Sequence, residues 1–549
     1  MKREQCCRTS STPVEELSFF GIPRNIWIIL QFWHCQKSRN LPDECDRFLP
    51  HSMTISDVAF DYFFEWEMSN LGPITIDNMN PHVRRLEYAV RGPIVQRAME
   101  LENEMNQGKT FPFKEVIKCN IGDCHAMGQK PITFIRQVAA LLAMPELQND
   151  PNIPRDAKER AQSILGNCGG SSVGSYSAST GVELVRQHCS RFITERDRIP
   201  SDPQNIFLTT GASEAIKSVL QILSSQKEGR ERAGVMVPIP QYPLYSATNA
   251  EYNAYQIGYF LDEANCWGLS EKELERAINE AKDKCHPRAI VIINPGNPTG
   301  QVLTRDDIEM VIRFAKKHNL LIMADEVYQF NIYAENRTFI SMKKALHEMG
   351  AEYNKSVTLA SFMSTSKGYM GECGFRGGYC ELVNWDGEVK AQLYKCLSAR
   401  LCSSVIGQGI LDVVVNSPKK GEPSYELFEK EKNKVLSDLK AKGKLVSETF
   451  NSLPGFKCNP VQGAMYAFPK IELPPKVIAA AKALNYTADF FYCLNLLEQT
   501  GVCVVPGSGF GQKEGTFHFR ITILPSVEKM QTVMKLIKEF HVKFMAKYN

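Results

Sequence analysis

Residues 288–324 read RAIVIINPGNPTGQVLTRDDIEMVIRFAKKHNLLIMA, and this stretch decides the fold. From Ala289 to Ile293 it is apolar without alternation, as a strand covered on both faces requires. A rigid Pro/Gly loop, Asn294–Gly300, follows. Thr304 and Asp307 then stand in the spacing of a capping box, with Asp in place of Glu, and predict a helix over Thr304–His318. Leu320–Ala324 is a second apolar run. Strand, loop, helix and strand in that order make a crossover unit, because parallel strands cannot be joined by a tight turn.

The same alternation extends to both sides. Val357–Phe362 reads as another buried strand. Asn205–Gly211 is a short strand ending in glycine, and it runs into the helical stripe Ala215, Ile216, Val219, Leu220 and Leu223. Upstream, apolar residues at helical spacing (Val83, Leu86, Val90, Ile94, Val95) predict a helix over 81–105, with two more over 131–143 and 177–196. Downstream, Pro418–Pro423 is the best boundary, because a charged helix pattern follows over roughly 425–450. Apolar strands at Gly501–Val505 and Phe517–Leu524 and a final helix from about 526 complete the chain. The expected class is α/β: a large domain with a mostly parallel sheet covered by helices on both faces, plus a smaller α+β domain. Four regions are expected: an extension at 1–52, an N-terminal segment at 53–170 that joins the small domain, a large domain at 171–417, and the C-terminal small domain at 418–549.

Composition narrows the function classes. The chain has 549 residues, with 64 Lys+Arg against 61 Asp+Glu and a formal charge of +3, so no surface for nucleic acid is expected. Hydrophobic residues at 43% and charged residues at 23% exclude whole-chain disorder. The 17 cysteines are odd in number and scattered, which argues against a disulfide framework, and no paired CxxC motifs suggest a zinc site. The longest apolar run in residues 1–52, Ile26–Leu30, is far short of the ~20 residues of a membrane span, so no membrane is expected. His34-Cys35-Gln36-Lys37 after it does not resemble a secretory cleavage site. The absence of alanine before Ala59, together with Glu15 and Glu16, disfavours a mitochondrial leader. The expected compartment is the cytoplasm, with the mitochondrion as the alternative.

In an open parallel sheet the ligand crevice lies beyond the carboxyl ends of the strands, and four of these ends carry unusual polar residues. Asn297 sits in the rigid loop after Ile293. Asp325-Glu326-Val327-Tyr328 follows Ala324. Ser364-Thr365-Ser366-Lys367-Gly368 follows Phe362, with Arg376 further on. The turn Thr209–Ser213 opens a helix whose free N–H groups can bind an anion. Taken singly, Asp325 reads equally well as a solvated loop acid, Lys367 as a surface lysine and the loop as a turn. One cofactor needs all of them at once. Pyridoxal phosphate requires a lysine for its aldehyde, a carboxylate opposite its pyridine nitrogen, donors to its phenolate oxygen and a cationic cradle for its phosphate.

Asn294–Gly300, Asp325-x-x-Tyr328 and Ser364-x-Ser366-Lys367-Gly368 with Arg376 resemble the fold-type I pyridoxal-phosphate aminotransferases of class I/II. The stretches Asn80–Ile94, Asn120–Asp123, Met127–Phe134 and Ser366–Tyr379 are closer still to the alanine aminotransferase branch. The resemblance covers about residues 53–549. It implies a ping-pong homodimer that interconverts L-alanine and 2-oxoglutarate with pyruvate and L-glutamate. Lys367 would bind the cofactor covalently and then move the proton at Cα, which requires a depressed pKa that cationic surroundings can supply. Asp325 would face the pyridine nitrogen, Asn297 and Tyr328 the phenolate oxygen, and Tyr242 would stack on the ring. Ala212, Ser213, Ser364, Ser366 and Arg376 would hold the phosphate, and Tyr176 would reach the phosphate of the partner subunit. Arg520 would pair with the substrate α-carboxylate, helped by the backbone of Gly122. Cys373 has no base beside it in sequence and reads as a structural thiol.

Three competitors remain at this stage. The same fold and cofactor serve other amino donors, aromatic or kynurenine, and also serve a lyase of the aminocyclopropane-carboxylate synthase type. A non-catalytic ligand-sensing module needs an attached DNA-binding domain, and residues 1–52 show no helix-turn-helix pattern.

Overall fold

The structure, a computed structural model, describes residues 74–88, 92–225 and 227–548; the expected extension at 1–52 lies outside them. The chain divides into two compact units, Met1–Arg84 and Arg85–Asn549. In the described part of the first, the Thr75 N–H donates to Asn78 Oδ1 (2.7 Å) ahead of a short helix, Pro81–Arg84.

The second unit is built on a seven-stranded sheet: β1 (Ile206–Thr210), β2 (Ala233–Ile239), β3 (Tyr255–Phe260), β4 (His286–Ile293), β5 (Leu321–Asp325), β6 (Leu359–Ser364) and β7 (Gly377–Val383). Its spatial order is β1-β7-β6-β5-β4-β2-β3, and only β7 runs against its neighbours. The strand period explains why β4 reads as continuously apolar. Ala289, Val291 and Ile293 enter the core on one face, Ile290 and Ile292 the core on the other. Each buried Val or Ile there contributes about 1.5–3 kcal/mol. The helix Arg305–Lys317 covers one face with Ile308, Val311 and Ile312. Its capping box forms as expected, with Asp307 N–H donating to Thr304 Oγ1 (3.1 Å) and Thr304 N–H to Asp307 Oδ2 (2.9 Å).

Three expectations differ in detail. The helix expected over 81–105 is two, Pro81–Arg84 and Pro93–Asn106, because Pro93 lacks an N–H and can only begin a helix. The strand expected at Gly501–Val505 is two short pieces, Val502–Cys503 and Val505–Pro506, which pair with different partners. Strands β2, β3 and β7 have no counterpart in the sequence reading.

A further core joins distant parts of the chain. The helix Pro93–Asn106 and the strand Ile117–Lys118 pack with the helices Tyr425–Asn451, Ala488–Thr500 and Val527–Tyr548. Ile117–Lys118 pairs in parallel with Val502–Cys503. Phe519–Thr522 is the middle strand of a small antiparallel sheet, between Tyr466–Ala467 and Val505–Pro506. The aromatic side chains of Phe450, Phe456, Tyr492, Phe519 and Phe540 interlock in this core. No helix among the described residues is long and apolar enough to cross a membrane.

Candidate active site

Strand register sets the site. Ile293 pairs with Asp325, and Asp325 with Phe362. Two residues on, Ser364 pairs with Gly378, beside Thr210 opposite Gly377. The carboxyl ends of β4, β5, β6 and β1 therefore finish together at the wall of one cavity of about 480 Å³. That cavity collects Ala212, Ser213, Tyr242, Asn297, Asp325, Tyr328, Ser364, Ser366, Lys367 and Arg376. Gly122 and Arg520 reach it from the other core. Tyr176 does not line it; this side chain is 76% exposed on the single chain.

At the β1 end, Gly211 has φ +78°, a conformation that suits glycine, and any side chain there would strike the Arg376 guanidinium. Arg376 donates to Ser366 Oγ (3.3 Å), Cys373 O (2.8 Å) and Thr210 O (3.1 Å). None of these partners carries charge, so the guanidinium faces the first turn of helix Ala212–Leu223 with no counter-ion among the described residues. A cation, two serine hydroxyls and a helix N-terminus suit a phosphate dianion.

Asp325 is buried at the centre. Burial pushes its carboxyl up to about 6, against donation from Tyr245 OH (3.0 Å) and the Val327 N–H (3.4 Å). Tyr245 was invisible to sequence reading, since nothing in Tyr242-Pro243-Leu244-Tyr245 marks it as facing an acid. Lys367 Nζ donates to Gly122 O (2.6 Å). Asn331, also missed, clamps the loop behind the lysine: the Gly368 N–H donates to its Oδ1 (2.9 Å), and its Nδ2 donates back to Gly368 O (3.2 Å).

One expectation is corrected. Cationic surroundings do not depress Lys367. Burial and Arg520 work to lower it, but Tyr466, Cys124 and Cys373 outweigh them and hold the amine above the ordinary lysine value.

Arg520 is 1% exposed and donates to Asn120 O (2.6 Å) and Asn297 Oδ1 (3.2 Å), while its Nε has no partner among the described residues. The Tyr466 and Phe510 rings lie 4.2 and 4.8 Å from its Cζ. A buried guanidinium without a carboxylate partner is a receptor for one. Asn297 accepts from Arg520 and so ties the two ends of the cavity together. The Tyr242 and Tyr88 hydroxyls lie 3.0 Å apart on the wall. Cys373 lies half-buried on the rim, raised by burial and by the Asp123 carboxylate, which suits an inert thiol. The described cysteines are all free thiols. The donor set fits pyridoxal phosphate: an amine, a buried acid, an anion cradle and donors for a phenolate, each in one cavity.

A family model described as aminotransferase class I and II matches residues 143–537. Alanine aminotransferase 2 of Xenopus tropicalis is 57% identical over 477 residues, 87% of this chain and 91% of that protein. Alanine aminotransferase 1 of Homo sapiens is also 57% identical, over 87% of this chain and 96% of that protein. Among solved structures, an alanine aminotransferase from Pyrococcus furiosus shares the fold with a TM-score of 0.67 at 23% identity, covering 85% of this chain and 100% of that one.

Proposed function

The chain belongs to the class I and II aminotransferases, and from that membership we propose how its residues interconvert L-alanine and 2-oxoglutarate with pyruvate and L-glutamate. The observation that carries the reading is the meeting of Lys367, Asp325, Arg376 and Arg520 in one cavity, with neither arginine paired to a carboxylate among the described residues. Pyridoxal 5′-phosphate, when bound, supplies an aldehyde for amines and a ring that accepts the electron pair left at Cα.

The residues do the rest. Arg376, the hydroxyls of Ser364 and Ser366, and the N–H groups of Ala212 and Ser213 hold the phosphate. Asp325, oriented by Tyr245, keeps a proton on the ring nitrogen. Asn297 and Tyr328 donate to the phenolate oxygen, and Tyr242 covers the ring face. Arg520 grips the substrate α-carboxylate with two parallel N–H bonds and so aims Cα–H at Lys367. The Lys367 amine takes that proton and returns it one carbon away, and the walls keep out competing water. One carboxylate site serves both half-reactions, which is the economy of a ping-pong cycle.

We also propose a homodimer in which the exposed Tyr176 completes the partner's phosphate cradle, and a cytoplasmic location with the mitochondrion as alternative. The test of the function is spectroscopic. The reconstituted protein should show a visible cofactor band that L-alanine bleaches with release of pyruvate, and that 2-oxoglutarate restores with release of glutamate. Lys367→Ala should fold, hold cofactor non-covalently and lose the absorbance band of the lysine-bound cofactor. A Lys367→Ala chain with a borohydride-reducible cofactor bond would overturn the assignment, and a band that bleaches with aromatic donors but not alanine would overturn the substrate.

A further inference from the structure

Tyr466 has no part in the reading above, yet its side chain meets both Arg520 and Tyr328. It lies on the strand Tyr466–Ala467, paired with Phe519–Thr522, so the neighbouring strand carries Arg520. Its ring lies 4.2 Å from the Arg520 Cζ, with Phe510 at 4.8 Å from the same atom. Its hydroxyl is 3.4 Å from the Tyr328 hydroxyl. The point where a side-chain carbon on Gly122 would sit is 2.9 Å from Lys367 Nζ and nearer still to the Tyr466 hydroxyl. The amine and this phenol are therefore neighbours across Gly122, whose carbonyl holds the amine. The titratable and charged groups facing Tyr466 are Lys367, Arg520, Tyr328, Tyr242 and Cys124.

We propose that Tyr466 is a positioning residue for the transamination: its ring seats Arg520 for the substrate carboxylate, and its hydroxyl governs the charge of the Lys367 amine. The two roles separate physically. A cation–π contact needs only the ring face. The hydroxyl matters because two buried cations, neither paired with a carboxylate among the described residues, look toward one weak acid. Burial opposes ionisation of Tyr466, but Lys367, Arg520 and the Tyr328 hydroxyl together hold its phenol below the ordinary tyrosine value. The reciprocal effect is the raised Lys367. In the reaction the phenol stabilises the amine as it becomes an ammonium on taking the Cα proton, with no proton leaving Tyr466.

This inference rests on the proposed roles of Lys367 and Arg520, so the test separates them. Tyr466→Phe keeps the ring and removes the hydroxyl, and Tyr466→Leu removes both. In the full chain without added cofactor, the Lys367 amine is titrated by pH-dependent labelling with trinitrobenzenesulfonate, read by peptide mapping. Tyrosinate absorbance of wild type minus Tyr466→Phe is followed over the same pH range. Tyr466→Phe should lower the Lys367 midpoint by about one pH unit or more, since burial and Arg520 then act unopposed by the phenol. In the loaded enzyme it should reduce kcat about tenfold and displace the pH profile, with KM within about threefold of wild type. Tyr466→Leu should raise KM for alanine and 2-oxoglutarate about tenfold or more through Arg520. Coincident Lys367 titrations in wild type and Tyr466→Phe, or an unchanged KM in Tyr466→Leu, overturn the inference. If Lys367→Ala still transaminates, the underlying reading fails instead.

Discussion

Burial pushes Asp325 up to about 6 although Tyr245 and the Val327 N–H donate to it, so its surroundings shift it toward the neutral acid and a cationic ring nitrogen would oppose that shift. Asp325→Asn keeps the shape and removes the charge; transamination should fall at least ~10²-fold, about 2.7 kcal/mol of barrier. Near-normal turnover would mean that another acid serves the ring nitrogen. Arg520→Lys keeps the charge but loses the planar fork, and kcat/KM should fall about 10- to 100-fold for alanine and for glutamate alike, roughly 1.4–2.7 kcal/mol. A defect confined to glutamate would assign Arg520 to the distal carboxylate. The neighbouring Glu326 behaves differently. Burial raises it to about 7, against Arg196 and the Met342 N–H, so the folded chain holds a proton there that the unfolded chain loses near the ordinary glutamate value of 4.5. Its contribution is fully present below that value and is lost as pH rises through about 7. Glu326→Gln, which retains the acceptor for Met342, should flatten the fall in thermal stability between acid and mildly alkaline pH, by at most about 3 kcal/mol. An unchanged pH dependence of Tm would show that Glu326 is not its source. Asp325 was legible because it ends an apolar strand. Tyr245 and Asn331 were not, since their partners lie far from them in sequence.

At the scale of elements, the turn between β1 and helix Ala212–Leu223 shows how local chemistry builds the phosphate cradle. Gly211 is held at φ +78°, and a methyl group there would both strain the backbone and meet the Arg376 guanidinium. Gly211→Ala should weaken cofactor binding about tenfold or more, about 1.4 kcal/mol, while the helix still forms. Titration of the visible band measures this, and unaltered affinity would remove Arg376 from the cradle. The capping box at Thr304 and Asp307 was readable because it depends only on residues three apart. The break before Pro93 should have been read, since proline at a helix start is equally local. Strand β7 was not readable as an antiparallel member: Gly377-Gly378 opens it, and glycine carries little strand preference.

The second unit brings its first long helix and its C-terminal helices into one core. Helix Pro93–Asn106 packs with the C-terminal helices, and through this closure Gly122 and Arg520 arrive at a cavity otherwise built by the sheet. Tyr176 stands 76% exposed outside that cavity. If it completes a partner's site, Tyr176→Phe should weaken cofactor binding several-fold, roughly 1 kcal/mol, with sedimentation still at twice the chain mass. A chain that sediments as a monomer with full activity would overturn the shared site. By itself the sequence determined the α/β class, the strand ends that carry the chemistry and most of the residues on the cavity wall. The class and the strand-end residues follow from short-range rules: burial period, capping and the polar residues after apolar runs; Tyr242, Gly122 and Arg520 follow from the family resemblance. Only the tertiary structure decided which way β7 runs, that Tyr245 meets Asp325, that Tyr466 stands among Lys367, Arg520 and Tyr328, and that Lys367 is raised rather than lowered. Those outcomes depend on contacts across tens to hundreds of residues and on the burial those contacts create, and neither is encoded in any local stretch.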